Sequence, residues 1–122
     1  MSRHNAELGL RGERIAVGFL KRNGYKILTT NFRSPLGQID IVAKDGRALV
    51  FIEVKTRSSK EFGMPEEAVN HKKRRKMVSL AWFYLKKYNL GGLNCRFDVV
   101  SVLKESEKDF SINLIKNAFT EG

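Results

Sequence analysis

Four side chains stand where charge is disfavoured. Glu13 falls inside an apolar helical stripe, and Asp40 and Glu53 interrupt strands that otherwise read as buried. Lys55 follows Glu53 by two residues, so in a strand both point to one face. Carboxylates that converge in poorly solvated space repel one another. A bound divalent cation removes that cost, and carboxylate oxygen is the ligand type for a hard ion such as Mg²⁺ or Mn²⁺. The chemistry open to such a set is metal-assisted hydrolysis of a phosphodiester. Asp40 and Glu53 would hold the ion, with the backbone carbonyl of Val54 as a further ligand. Glu13 would reach the cluster directly or through water, and Lys55 would position or activate the attacking water. The plainer alternative is an ordinary salt bridge for each acid.

These residues need elements that bring them together. Residues 5–23 predict a helix with Ala6, Leu10, Glu13, Ala16, Val17 and Leu20 inward and Asn23-Gly24 as its stop. Residues 25–32, 38–43 and 48–56 predict strands, joined by a turn at 34–37 and by Asp45-Gly46 as a two-residue hairpin. The run 48–52 is apolar on both faces and therefore central. With Asp45-Gly46 as the turn, Gln38 falls opposite Glu53 and Asp40 opposite Phe51, which makes Asp40 a diagonal neighbour of Glu53. A loop over 57–64 precedes a helix from Pro65 to about Tyr88, whose buried stripe is Met77, Leu80, Ala81, Tyr84, Leu85 and Tyr88. Trp82 lies at its edge. Gly91-Gly92 breaks the chain before a strand at 95–103 and a short one at 110–116. The order α-β-β-β-α-β-β predicts one α/β domain over 1–122, a mixed central sheet of four to five strands flanked by helices.

Charge points to the class of partner. The 122 residues carry a net charge of +10. Residues 68–97 hold eight Lys or Arg and no acid. That distribution predicts attraction to a polyanion, and nucleic acid, above all DNA, is the commonest. Lys72, Lys73, Arg74, Arg75 and Lys76, with Arg57 and Arg33 near the acid cluster, are the candidates for holding a phosphate backbone. A membrane surface fits less well, because the apolar face of the second helix reads as core. No window approaches a membrane span and no secretory signal is visible, so the expectation is a cytoplasmic protein. Cys95 is the only cysteine and is expected to be reduced and partly buried. With His4 and His71 it shows no zinc-ligand spacing.

At these residues the chain resembles the YraN-like family of bacterial proteins, grouped with the restriction-endonuclease-like superfamily. The matching pieces are Gly12-Glu13, Asn31, Arg33, Gly37-Gln38-Ile39-Asp40-Ile41, Phe51-Ile52-Glu53-Val54-Lys55-Thr56-Arg57, Lys73, Arg96-Phe97-Asp98 and Asn117-Ala118-Phe119. The resemblance implies a restriction-endonuclease-like fold, whose signature is an acid followed by acid–x–lysine on the next strand, with a glutamate on the first helix. Archaeal Holliday-junction resolvases look similar, which implies branched or structured DNA as one substrate. One departure stands out: the family pattern is Gly-Glu-Ile-Asp, and here Gln38 replaces the glutamate. A glutamine can coordinate through its amide oxygen but adds no negative charge. The expectation is a Mg²⁺- or Mn²⁺-dependent DNA nuclease. The alternatives are a catalytically weak or inactive nucleic-acid-binding module of the same fold and a small interaction protein. A homodimer is compatible with cutting both strands of a duplex from a chain with one site.

Overall fold

The apolar run Leu49–Ile52 becomes the fully buried centre of a five-stranded sheet. A computed structural model describes residues 3–58 and 71–119. Within them the chain forms α1 (Arg3–Arg22), β1 (Lys26–Ser34), β2 (Gly37–Asp45), β3 (Ala48–Ser58), α2 (His71–Lys87), β4 (Cys95–Lys104) and β5 (Phe110–Phe119). The strands lie in sequence order, with β3 and β4 parallel and the other neighbours antiparallel. The sheet is therefore mixed, as expected. The expected helix start at Pro65 and the loop residues 59–64 lie outside the described residues.

Alternation along β3 sends side chains to two cores. Leu49 and Phe51 pack under α2 with Met77, Leu80 and Tyr84. Val50 and Ile52 pack under α1 with Ala16 and Leu20. Fully burying a side chain of this size contributes roughly 1.5–3 kcal/mol, so both helices are held mainly by their contact with β3 and its neighbours. Phe51 and Phe32 meet the Tyr84 ring edge-on, at centroid distances of 5.7 and 5.0 Å.

Several expectations need correction. The β2–β3 ladder pairs Asp45 with Ala48 and Val42 with Phe51, so the turn residues are Gly46-Arg47 and not Asp45-Gly46. Gly46 alone of the two takes a left-handed φ, 61°, as a type II′ turn requires at its first position. The slip is two residues, so every side chain keeps its face.

The buried stripe of α1 is Leu8, Gly12, Ala16 and Leu20, whereas Ala6 and Leu10 are exposed. Gly12 sets this rotation, because a Cβ there would overlap the Thr56 side chain of β3. Tyr88 is exposed, since α2 stops at Lys87, and Cys95, heading β4 after Gly91-Gly92, is also exposed. The predicted stop of α1 is observed: Gly24 has φ 88°, and the Tyr25 N–H reaches back to the Leu20 carbonyl.

A second buried carboxylate holds β4 to its surroundings. Asp98 is fully buried and accepts hydrogen bonds from Tyr25 Oη at 2.8 Å, Arg96 Nε at 2.9 Å and the Asn117 N–H at 2.9 Å. Arg96 also donates to Asp45 at 2.8 Å. With its charge matched and its oxygens occupied, Asp98 is a structural acid.

Candidate active site

The site forms where the sheet divides. The β2–β3 ladder ends at Ile41–Ile52, while β1–β2 continues to Ser34–Gly37 and β3–β4 to Ser58–Lys104. Residues 37–40 and 53–58 thus belong to strands that part from one another. Asp40 marks the point of parting, and its Oδ2 accepts the Val54 N–H at 2.8 Å, in place of a backbone carbonyl of β2. In an extended strand the N–H and C=O of one residue point the same way, so the Val54 carbonyl is directed into this gap too.

Asp40 and Glu53 face α2 across an open cleft of about 170 Å³, lined also by Gln38, Lys73, Lys76 and Met77. Glu53 is nearly buried, 9% exposed, in a strand where its neighbours are apolar. Its Oε1 is in ion-pair contact with Lys73 Nζ from α2 and lies 4.0 Å from Lys55 Nζ. Burial, and then the charge of Glu53, push the Asp40 carboxyl up to about 7, against smaller help from the Val54 N–H and Gln38. Burial and the neighbouring Lys73 hold the Lys55 ammonium below the usual lysine range. Burial would also lower Lys73, but its ion pair with Glu53 raises it instead. Asp40, Glu53, Lys55 and Lys73 therefore behave electrostatically as one group.

Gln38 is positioned by an amide pair. Its Nε2 donates to Asn31 Oδ1 at 2.9 Å and approaches Asp40 Oδ1 at 3.4 Å. Asn31 adopts a left-handed φ of 53°, uncommon for a residue other than glycine and a feature that clusters at functional sites. Gly37, at φ 139°, begins β2 directly beneath the Lys76 stem, where a Cβ would meet Lys76 Cε at 2.8 Å. That close approach brings the basic turn of α2 down beside Gln38 and Asp40.

Not every predicted residue joins the cluster. Glu13 belongs to α1, on the other side of the sheet, and lines a separate hollow with Arg14, Thr30 and Asn31. It still adds to the negative field that raises Asp40. Among the described residues, no three His, Cys, Asp or Glu side chains are gathered closely enough to hold a metal ion.

The basic run divides. Lys72, Arg75 and Lys76 are exposed, and Lys73 turns inward to Glu53. Arg74 lies with its guanidinium 5.7 Å from the centre of the Phe119 ring. Arg33 is exposed on β1, paired with Gln38, and Arg57 follows Lys55 on the same face of β3.

Sequence reasoning misses the roles of two participants. Lys73 reads as one more surface cation of a basic run, although it precedes Met77, Leu80 and Tyr84 at helical spacing on the buried stripe. Asn31 enters only through the family resemblance, because nothing in its neighbours marks a left-handed residue.

The same span is shared with other proteins. A family model described as "Uncharacterised protein family UPF0102" matches residues 12–102, from Gly12 on α1 through nearly all of β4. A UPF0102 protein of Moorella thermoacetica is 50% identical over 109 residues, covering 88% of this chain and 91% of its own. One of Caldicellulosiruptor saccharolyticus is 47% identical over 114 residues, covering 93% and 97%. One of Persephonella marina is 44% identical over 111 residues, covering 91% of each. Since the shared stretch holds both parted strands, α2 and every acid and lysine of the cleft, the chain belongs to the UPF0102 family.

Proposed function

We propose that this protein is a Mg²⁺- or Mn²⁺-dependent nuclease that hydrolyses DNA phosphodiesters, with branched or structured DNA among its substrates. The fold proposed is restriction-endonuclease-like. One observation carries the proposal: Asp40 and Glu53 are forced together where β2 and β3 part, with Lys55 and Lys73 on the same cleft. A structural pair of acids needs no such mutual repulsion, whereas a divalent cation relieves it.

The donor set fits a hard cation. Two carboxylates and the Val54 carbonyl are the oxygen ligands such an ion takes, and Mg²⁺ commonly uses one or two carboxylates and keeps several waters. Asp40, Glu53 and Val54 would hold the ion, and Glu13, in its separate hollow, would add only its negative field. The bound ion would polarise the phosphate and supply an acidified water. Lys55, its pKa held down by the cleft, is placed to orient that water and take its proton. Gln38, fixed by Asn31, orients Asp40. Lys72, Arg75, Lys76 and Arg33 line the approach and hold the backbone without reading sequence. A homodimer would present two such sites to a duplex.

A second reading, a nucleic-acid-binding module with little chemistry, is favoured by one feature: the Glu53 carboxylate already carries the Lys73 ammonium. The two readings separate in one experiment. Single-stranded, duplex, branched and RNA substrates are incubated with Mn²⁺ and the wild-type protein. Cleavage of a DNA substrate that EDTA abolishes supports the nuclease. Binding without cleavage on every substrate supports the module.

A further inference from the structure

Lys73 differs from the four basic residues around it. It is the cationic end of the core stripe of α2, followed by Met77, Leu80 and Tyr84, and its side chain is half-buried where Lys72, Arg75 and Lys76 stand in water. From α2 packed on β3, its ammonium reaches Glu53. The Glu53 side chain is only 11% exposed, so solvent competes weakly for this contact. Asp40, by contrast, receives the Val54 N–H and the Gln38 amide and, among the described residues, no direct ammonium contact. The pair is therefore neutralised on one side only.

We propose that Lys73 is a resident counter-cation of Glu53, which a divalent ion must displace in order to load the site. The exchange deepens the metal-dependent function proposed above and rests on it. An ammonium and a metal ion compete for Glu53 Oε1, because two cations on one oxygen would repel one another at a few ångströms even in a partly solvated cleft. Lys55 does not share this role. Its ammonium stands off at 4.0 Å from the same oxygen, on the strand that carries Glu53, and does not bridge two elements. The displaced Lys73 ammonium leaves at the end of α2 that also bears Lys72, Arg75 and Lys76, where a phosphate backbone would meet it. By linkage, any anion that draws Lys73 away from Glu53 tightens cation binding, so ion and polyanion load cooperatively.

The experiment measures Mn²⁺ affinity by titration calorimetry on the full chain, for wild type, Lys73→Gln and Lys73→Met, with no nucleic acid present. Glutamine keeps a polar contact to Glu53, which protects folding if methionine does not. Both variants should bind Mn²⁺ more tightly than wild type, by about tenfold, the scale of one charge-assisted hydrogen bond that need not be broken. As a second readout, Mg²⁺ added to the wild type should move the Lys73 side-chain NMR signals away from their ion-paired positions. Wild type that binds Mn²⁺ while both variants bind equally or more weakly overturns the exchange and leaves the nuclease proposal standing. Absence of Mn²⁺ binding by all three proteins overturns both.

Discussion

Replacing Asp40 with asparagine should make the metal-free protein more stable, by an amount that grows with pH. Burial and the Glu53 charge hold the Asp40 carboxyl at about 7 in place of 3.8. Between those values the unfolded chain releases the Asp40 proton while the folded chain keeps it. The folded state thus loses about 1.4 kcal/mol for each pH unit in that window. The cost is absent below the unfolded pKa, accumulates as pH rises towards 7, and stays constant above it. Over roughly three units it reaches about 4 kcal/mol, which the partly solvated cleft reduces to about 2–3 kcal/mol. Asparagine can still accept the Val54 N–H through Oδ1, so that contact is kept. For a chain of this size each kcal/mol moves Tm by about 4 °C. In EDTA at pH 8.5, Asp40→Asn should therefore melt about 8–12 °C above wild type, and at pH 4 within about 3 °C of it. Differential scanning calorimetry across that range reads both values. A variant that melts below wild type at pH 8.5, or a gap that ignores pH, would show that Asp40 is an ordinary paired carboxylate.

Three other outcomes test separate parts of the structure. Asp98→Ala should cost about 3–5 kcal/mol in urea unfolding, because it leaves Arg96 Nε, the buried Tyr25 hydroxyl and the Asn117 N–H without their acceptor. Gly12→Ala should cost about 1–3 kcal/mol by the same measurement, as the added methyl forces α1 away from Thr56. Changing Lys72, Arg75 and Lys76 together to glutamine should weaken duplex binding and reduce the salt slope by about 0.9 for each phosphate no longer neutralised. An unchanged slope would remove this end of α2 from the interface.

Much of the fold is legible in the sequence because burial leaves a strong pattern. The two-sided apolar run at 48–52 marks β3 as central, and Asn23-Gly24 marks the end of α1. The hairpin register is not legible, because Asp45-Gly46 and Gly46-Arg47 are both acceptable turns by local chemistry. The choice is made from afar: Asp45 is tied to Arg96 and Lys116, which reach it from β4 and β5. Parity then protects the site, since a slip of two residues leaves Asp40 and Glu53 on one face. The rotation of α1 is misleading for a related reason. Large apolar residues draw the expected stripe towards Leu10, whereas the helix lies against β3 through a glycine, Gly12, where any Cβ would overlap Thr56. In the basic run, five consecutive charges hide the one whose helical phase points inward. Only the packing of α2 on β3 shows that Lys73 belongs to Glu53.

The most direct measurement is single-turnover cleavage with Mn²⁺, on the substrate that wild type cuts best, by Asp40→Asn and Lys55→Ala set beside wild type. At saturating protein, both variants should cut it at least about a hundredfold more slowly than wild type, the lower range for loss of a group acting in the chemical step. Cleavage that persists undiminished in both variants would place the chemistry elsewhere and contradict the assignment of this cleft.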